Sequence, residues 1–160
     1  MLKKLISGGQ SGADVTALKV AKALGLETGG WIPKGFKTEN GSKPELGELY
    51  NLEEHTSEHY QPRTYTNVRD SDATLRIAKN FDSPVEKCTL KAILQYDKPY
   101  FDVDMMNPRP VGEVLDWLKE NDIETLNVAG NRESSAFGIT LFAEEYLTMV
   151  IQEVKNDGSN

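Results

Sequence analysis

Leu2-Lys3-Lys4-Leu5-Ile6-Ser7-Gly8-Gly9-Gln10-Ser11-Gly12-Ala13-Asp14 decides the fold. A short apolar run ends in a glycine-rich turn, after which Ala17, Leu18, Ala21 and Leu24 recur at helical spacing. That reads as a strand, a tight turn and a helix. The layout returns twice. Residues 74–78 lead into Asn80-Phe81-Asp82-Ser83-Pro84, and residues 126–129 lead into Gly130-Asn131-Arg132-Glu133-Ser134. Three such units predict an α/β, Rossmann-like domain: a mostly parallel sheet of about five strands with helices on both faces. In that architecture the strand-to-helix turns share one edge, outside the carboxyl ends of the strands, and open α/β folds bind ligands there.

The remaining pattern fills in around this frame. Helices are expected over 13–24, closed by Gly25, over 85–95, from Pro110 onward, and over 135–154. Further strands are expected near 27–32, 99–103 and 125–129. Residues 33–73 show no clear period beyond a short helix over 44–50, and read as an ordered cover over the strand ends. Residues 1–155 form one domain in this reading and 156–160 a frayed, disordered tail.

Bulk properties exclude several classes. The chain has 160 residues, 38% of them hydrophobic and 27% charged, which suits a globular domain with a real core. No stretch approaches the ~20 apolar residues of a membrane helix. The apolar run after Met1 is too short for a signal peptide, and with one cysteine, Cys88, the expected compartment is the cytoplasm. A net charge of −7 without a Lys/Arg cluster argues against nucleic acid as a partner. A small anion remains compatible, because backbone N–H groups and a helix dipole act locally.

The candidate binding residues follow from the turns. Gly8, Gly9 and Gly12 let backbone approach a ligand, and Gln10 and Ser11 add polar side chains; equally, Ser11 reads as a helix N-cap. Asp14 either complements the helix dipole or holds a hydroxyl or a metal-bound water. Arg132 suits a bidentate grip on phosphate, or a surface pair with Glu133. Asp70, Ser71 and Asp72 precede a strand, where they coordinate a cation, bond ribose or pterin donors, or build a turn. His55 and His59 suit a metal only on a helix that nearby Pro and Gly disfavour, so no metal site is assigned.

With these residues in hand, the chain resembles the proteins named as carriers of molybdenum, or of the molybdenum cofactor. These belong to the Rossmann-like group that also holds the lysine-decarboxylase-like phosphoribohydrolases. The resemblance rests on residues 6–14, on Gly30-Trp31-Ile32-Pro33-Lys34-Gly35, and on Tyr60-Gln61-Pro62-Arg63-Thr64. It continues through Asn67-Val68-Arg69-Asp70-Ser71-Asp72-Ala73-Thr74-Leu75 and Asn127-Val128-Ala129-Gly130-Asn131-Arg132-Glu133-Ser134. It implies that Lys34, Arg63, Thr74, Thr89, Asn131, Glu133 and Ser134 join the residues above in holding a small phosphorylated molecule, of the molybdopterin type. One element departs. Where the family carries Gly-Thr-x-x-Thr, this chain reads Val85-Glu86-Lys87-Cys88-Thr89, and Glu86 beside a phosphate is expected to repel it. The hydrolase relatives carry a glutamate at the place of Thr89, so the resemblance favours a carrier over that hydrolysis. The alternative is an enzyme acting on a nucleotide or phosphoribosyl compound, with Asp14, Asp70 or Asp72 as acid or base. A homo-oligomer is also expected, through Phe137, Leu141 and Leu147 of the last helix.

Overall fold

The computed structural model describes residues 1–158. Its elements run β1 (Lys4–Ile6), α1 (Ala13–Ala23), β2 (Glu27–Ile32), β3 (Lys37–Thr38), β4 (Gly41–Ser42), α2 (Glu45–Tyr50) and β5 (Leu52–Glu54). They continue with α3 (Tyr60–Arg69), β6 (Ala73–Ala78), α4 (Pro84–Tyr96), β7 (Tyr100–Asp104), α5 (Val111–Glu120), β8 (Thr125–Gly130) and α6 (Ile139–Gly158). Six strands form one sheet in the order β5-β2-β1-β8-β6-β7, and every pairing in it is parallel. The first and last strands that frame the expected site are neighbours, with Lys4 opposite Thr125 and Ile6 opposite Asn127. β3 and β4 make a separate small hairpin.

Right-handed crossovers place the helices. The chain leaves β1 toward β2 and β5, whereas it leaves β6 toward β7, so α1 and α4 fall on opposite faces. α1, α5 and α6 pack together on one side, and α3 packs with α4 on the other. The reversal of direction between β1 and β6 is the topological switch point, with β8 at its centre.

The two faces differ in chemistry. Leu5, Leu75, Ile77, Leu126 and Val128 meet Ala17, Leu18, Val114, Ile139, Leu147 and Ile151 in a continuous apolar core. Each of these large side chains contributes about 1.5–3 kcal/mol on burial. Leu147 is part of that core, which corrects its expected place in an oligomer surface; Phe137 and Leu141 are exposed. Among the described residues the second face carries a small apolar cluster of Val68, Ala92 and Ile93, with Tyr65 and Tyr96 packed against it. Between it and the strand ends the buried side chains are polar: Arg63, Thr64, Asn67, Thr74, Arg76, Glu86, Thr89 and Asn127.

Residues 33–73 hold more regular structure than their sequence suggests. The short helix appears as α2, but β5 extends the sheet as a sixth strand, and α3 runs through a stretch read as irregular. Pro62 is compatible with α3 because it occupies the first turn, where its missing N–H has no intrahelical partner to lose. α6 continues past its expected end near 154 to Gly158, so residues 156–158 are helical rather than frayed, and Asp157 pairs with Lys119; the last two positions of that expected tail, 159 and 160, lie outside the described residues.

Candidate functional site

A polar cleft opens at the switch point. Gly8, Gln10 and Asp14 come from the first turn, Tyr60, Arg63, Thr64 and Asn67 from α3. Val85, Glu86 and Thr89 come from the start of α4, and residues 127–130 with Arg132 from β8 and the turn after it. The room left inside is about 30 Å³, enough for about two water molecules.

The glycine turn is tightly built. Gly12 has φ +81, and a Cβ there would lie 2.5 Å from the Asn131 carbonyl oxygen and 2.8 Å from the Glu133 nitrogen. The first and third turns can touch only because this residue is glycine. Most amides of the turn have internal partners. Gly9 N–H donates to Ser7 Oγ (3.3 Å), Gln10 N–H to Asp14 Oδ2 (3.4 Å), and Ser11 N–H to Gln10 Oε1 (3.1 Å). Ala13 N–H donates to the Asn131 carbonyl at 3.2 Å. Ser11 is not the N-cap of α1; Gly12 holds that position, and the Ser11 hydroxyl donates to Glu39 Oε2.

Side chains therefore supply the donors. Gln10 Oε1 also accepts from Glu39 N–H (2.8 Å), which fixes the amide and leaves Nε2 buried without a partner. Arg63 Nε is likewise buried and unpartnered. Its Nη1 lies 3.8 Å from Asp14 Oδ2. Gly8 makes room for that guanidinium, since a Cβ at residue 8 would collide with Arg63 Nη1. Arg132 makes no ion pair among the described residues and stacks over the Tyr60 ring at 5.2 Å. Arg63 and Lys37 approach the same ring at 5.6 and 4.9 Å. Three cations around one aromatic ring form a positive rim on an acidic protein.

Two carboxyl groups share the cleft. Burial pushes Asp14 up to about 6, against the pull of Arg63 and of the Gln10 N–H. Burial pushes Glu86 up further, to about 8, reinforced by Asp14 and opposed by Arg76. Neither carboxyl oxygen of Glu86 has a hydrogen-bond partner. Arg76 is engaged elsewhere: its Nε and Nη2 donate to Asp102 at 2.7 and 2.6 Å, and its Nη1 donates to the Glu86 carbonyl at 3.1 Å.

The sequence-derived candidates thus divide. Gly8, Gln10, Asp14, Arg63, Thr89 and Arg132 line the cleft, whereas Gly9, Ser11 and Gly12 build the turn behind it. Thr74 lies below, accepting from Asn127 Nδ2 (3.2 Å). Asn131 ties two turns together: its Oδ1 accepts from Lys79 N–H (2.8 Å) and Asn80 N–H (3.1 Å), and its Nδ2 donates to the Asn80 carbonyl. Glu133 accepts from Gly138 and Thr140 N–H, so it caps the chain entering α6 rather than pairing with Arg132. Ser134 is exposed beside Glu39. Lys34 is exposed and does not line the cleft. Asp70, Ser71 and Asp72 precede β6 and so lie at the amino ends of the strands, the opposite edge. There Asp70 binds Arg69 and Trp31 Nε1, Ser71 donates to the Val68 carbonyl, and Asp72 accepts from Glu124 and Thr125 N–H. Their work is turn chemistry. His55 bonds Thr66 and Ser57, outside any helix. Thr64 and Asn127 enter the site without having been singled out for it, whereas Glu86 lines it where an acid beside the phosphate was expected.

Fold and site together define a Rossmann-like α/β protein with a cation-rimmed polar cleft at the switch point of its sheet. The chain belongs to the circularly permutated YpsA SLOG family, whose model matches residues 5–151. Among solved structures it is similar to the "Putative molybdenum carrier protein" of Syntrophus aciditrophicus SB, at 34% identity and a TM-score of 0.84, covering 94% of each chain. No curated protein matches it.

Proposed function

We propose that the chain is a binding protein that holds the anionic head of a small phosphorylated ligand in this cleft, and that the ligand is the molybdenum cofactor or a related phosphorylated compound. Two buried donors without partners, Gln10 Nε2 and Arg63 Nε, carry the reading. Leaving such groups unsatisfied costs about 1–3 kcal/mol each, a cost an oxyanion removes. The cleft is too small for a ring system, which supports a division of the ligand in which the ring stays at the rim against Tyr60 and only the charged head points inward. The name of the similar solved protein supports the molybdenum side of the proposal.

The second reading is an enzyme acting on a nucleotide or phosphoribosyl compound. Asp14 and Glu86 favour it, because two carboxyls pushed to about 6 and about 8 in one cleft are the arrangement that acid–base catalysis needs. The two readings separate in one assay. Nucleoside monophosphates are incubated with the protein and free base is quantified by chromatography, alongside equilibrium binding of the same compounds. Binding without base release supports the carrier. Release that disappears in D14N and E86Q supports the enzyme. We further propose a cytoplasmic homo-oligomer that uses the exposed Phe137 and Leu141. A sedimentation mass of 17.8 kDa at high concentration would remove that part.

A further inference from the structure

Glu86 was expected to repel a phosphate, and its surroundings reverse that expectation. It sits in the first turn of α4, fully buried, lines the cleft, and has both carboxyl oxygens unpartnered. The charged and titratable groups around it come from every neighbouring element. Asp14 faces it from α1, Arg63 from α3, Arg76 from β6, Asp102 from β7, Cys88 from α4 itself, and Arg132 lines the same cleft. The cations nearest to it have other commitments. Arg76 is bidentate to Asp102, and Arg63 lies beside Asp14. An ionised Glu86 would therefore be a buried charge without a counterion, which folded proteins avoid by protonation. A protonated carboxyl is a hydrogen-bond donor. It is the third unsatisfied group in the cleft, after Gln10 Nε2 and Arg63 Nε.

We propose that Glu86 is a ligand-binding residue that acts as a neutral acid, its carboxyl O–H donating to an oxygen of the bound oxyanion. The inference rests on the oxyanion reading of the cleft. A proton accompanies the ligand: the complex keeps Glu86 protonated to higher pH than the free protein does. Affinity then falls where free Glu86 begins to ionise, near pH 8. The second turn then contributes a carboxylic acid donor whose availability depends on pH.

Inorganic sulfate is the probe, because it carries no titratable proton between pH 6 and 9.5. Its affinity for the wild type, E86Q and E86A is measured by titration calorimetry at constant ionic strength. Wild-type affinity is expected to be level near pH 7 and to fall at least tenfold by pH 9.5. Near pH 8.5, buffers of different ionisation enthalpy should report uptake of roughly three-quarters of a proton per sulfate, the fraction of free Glu86 ionised there. E86Q retains an N–H donor, so it should bind within about threefold of wild type at pH 7 and show neither the fall nor the proton uptake. E86A should lose tenfold or more at pH 7. If E86A does not fold, the E86Q profile and the proton count still decide. A flat wild-type profile, or the same profile in E86Q, overturns the role of Glu86 while leaving the anion site intact. Failure of the wild type to bind sulfate or inorganic phosphate at any pH overturns both.

Discussion

Replacing Glu86 by glutamine should change the pH dependence of folding in a way that isolates one buried carboxyl. The folded-state value of about 8 stands above the ordinary 4.5. Between those two pH values the folded chain keeps a proton that the unfolded chain has released. Stability therefore falls as pH rises through that window, and levels off above about 8. A tenfold change in proton affinity is worth about 1.36 kcal/mol, so the full loss is on the order of 5 kcal/mol, roughly 4 of it between pH 5 and 9. That is a large part of the 5–15 kcal/mol typical of a domain. E86Q fills the same volume without a charge and removes the slope. At pH 5 the two proteins should agree within about 1 kcal/mol. At pH 9 the variant should be more stable by on the order of 4 kcal/mol, or roughly 8–16 °C in Tm for a chain of this length. Asp14, raised to about 6, contributes its own slope at lower pH in both proteins, so it largely cancels in the difference. Urea unfolding at pH 5, 7 and 9, with midpoint and slope fitted together, provides the measurement. A stability difference that stays constant from pH 5 to 9 would refute the burial of an uncompensated carboxyl.

Other substitutions test neighbouring parts of the account. Gly8→Ala should leave stability within about 1 kcal/mol, because the group it displaces is the flexible end of Arg63. Phosphate affinity should nevertheless drop at least tenfold, and an unchanged affinity would take Arg63 out of the site. Arg132→Ala should cost about 1.5–3 kcal/mol of phosphate binding if the contact is charge-assisted; equal affinity for every phosphorylated compound tested would exclude it. Asp102→Ala leaves the buried Arg76 unpaired and should destabilise the fold by about 3 kcal/mol in urea. The figure is the low end for a broken buried pair, because the Asp102 side chain is 34% exposed.

The sheet was legible where apolar strands run straight into glycines or polar turns, as at Ile6, Ala78 and Ala129. α3 was hidden because its inward face is polar. Arg63, Thr64 and Asn67 are buried in place of the apolar residues that a helical period requires, since that face lines the cleft rather than the core. The spacing of those three residues was the available signal. β5 escaped because a three-residue edge strand with two exposed glutamates carries no pattern. The placement of Asp70, Ser71 and Asp72 was recoverable in principle: residues that precede a parallel strand lie at its amino end, away from the ligand edge. Glu86 was visible as an acid, but its burial depends on α3 and on the Arg76–Asp102 pair, neither of which local sequence reveals. The same holds for Ser11, whose partner Glu39 lies 28 residues away.

The central claim is that the cleft binds a phosphorylated molecule and holds it unchanged. Native mass spectrometry of the protein purified from its own cells tests this most directly, with the released small molecule identified by fragmentation. The account predicts a phosphorylated adduct, of pterin type, that survives purification and is lost in Arg63→Ala and Arg132→Ala. A bare protein mass under conditions that preserve such complexes, or an adduct that persists in both variants, would contradict it.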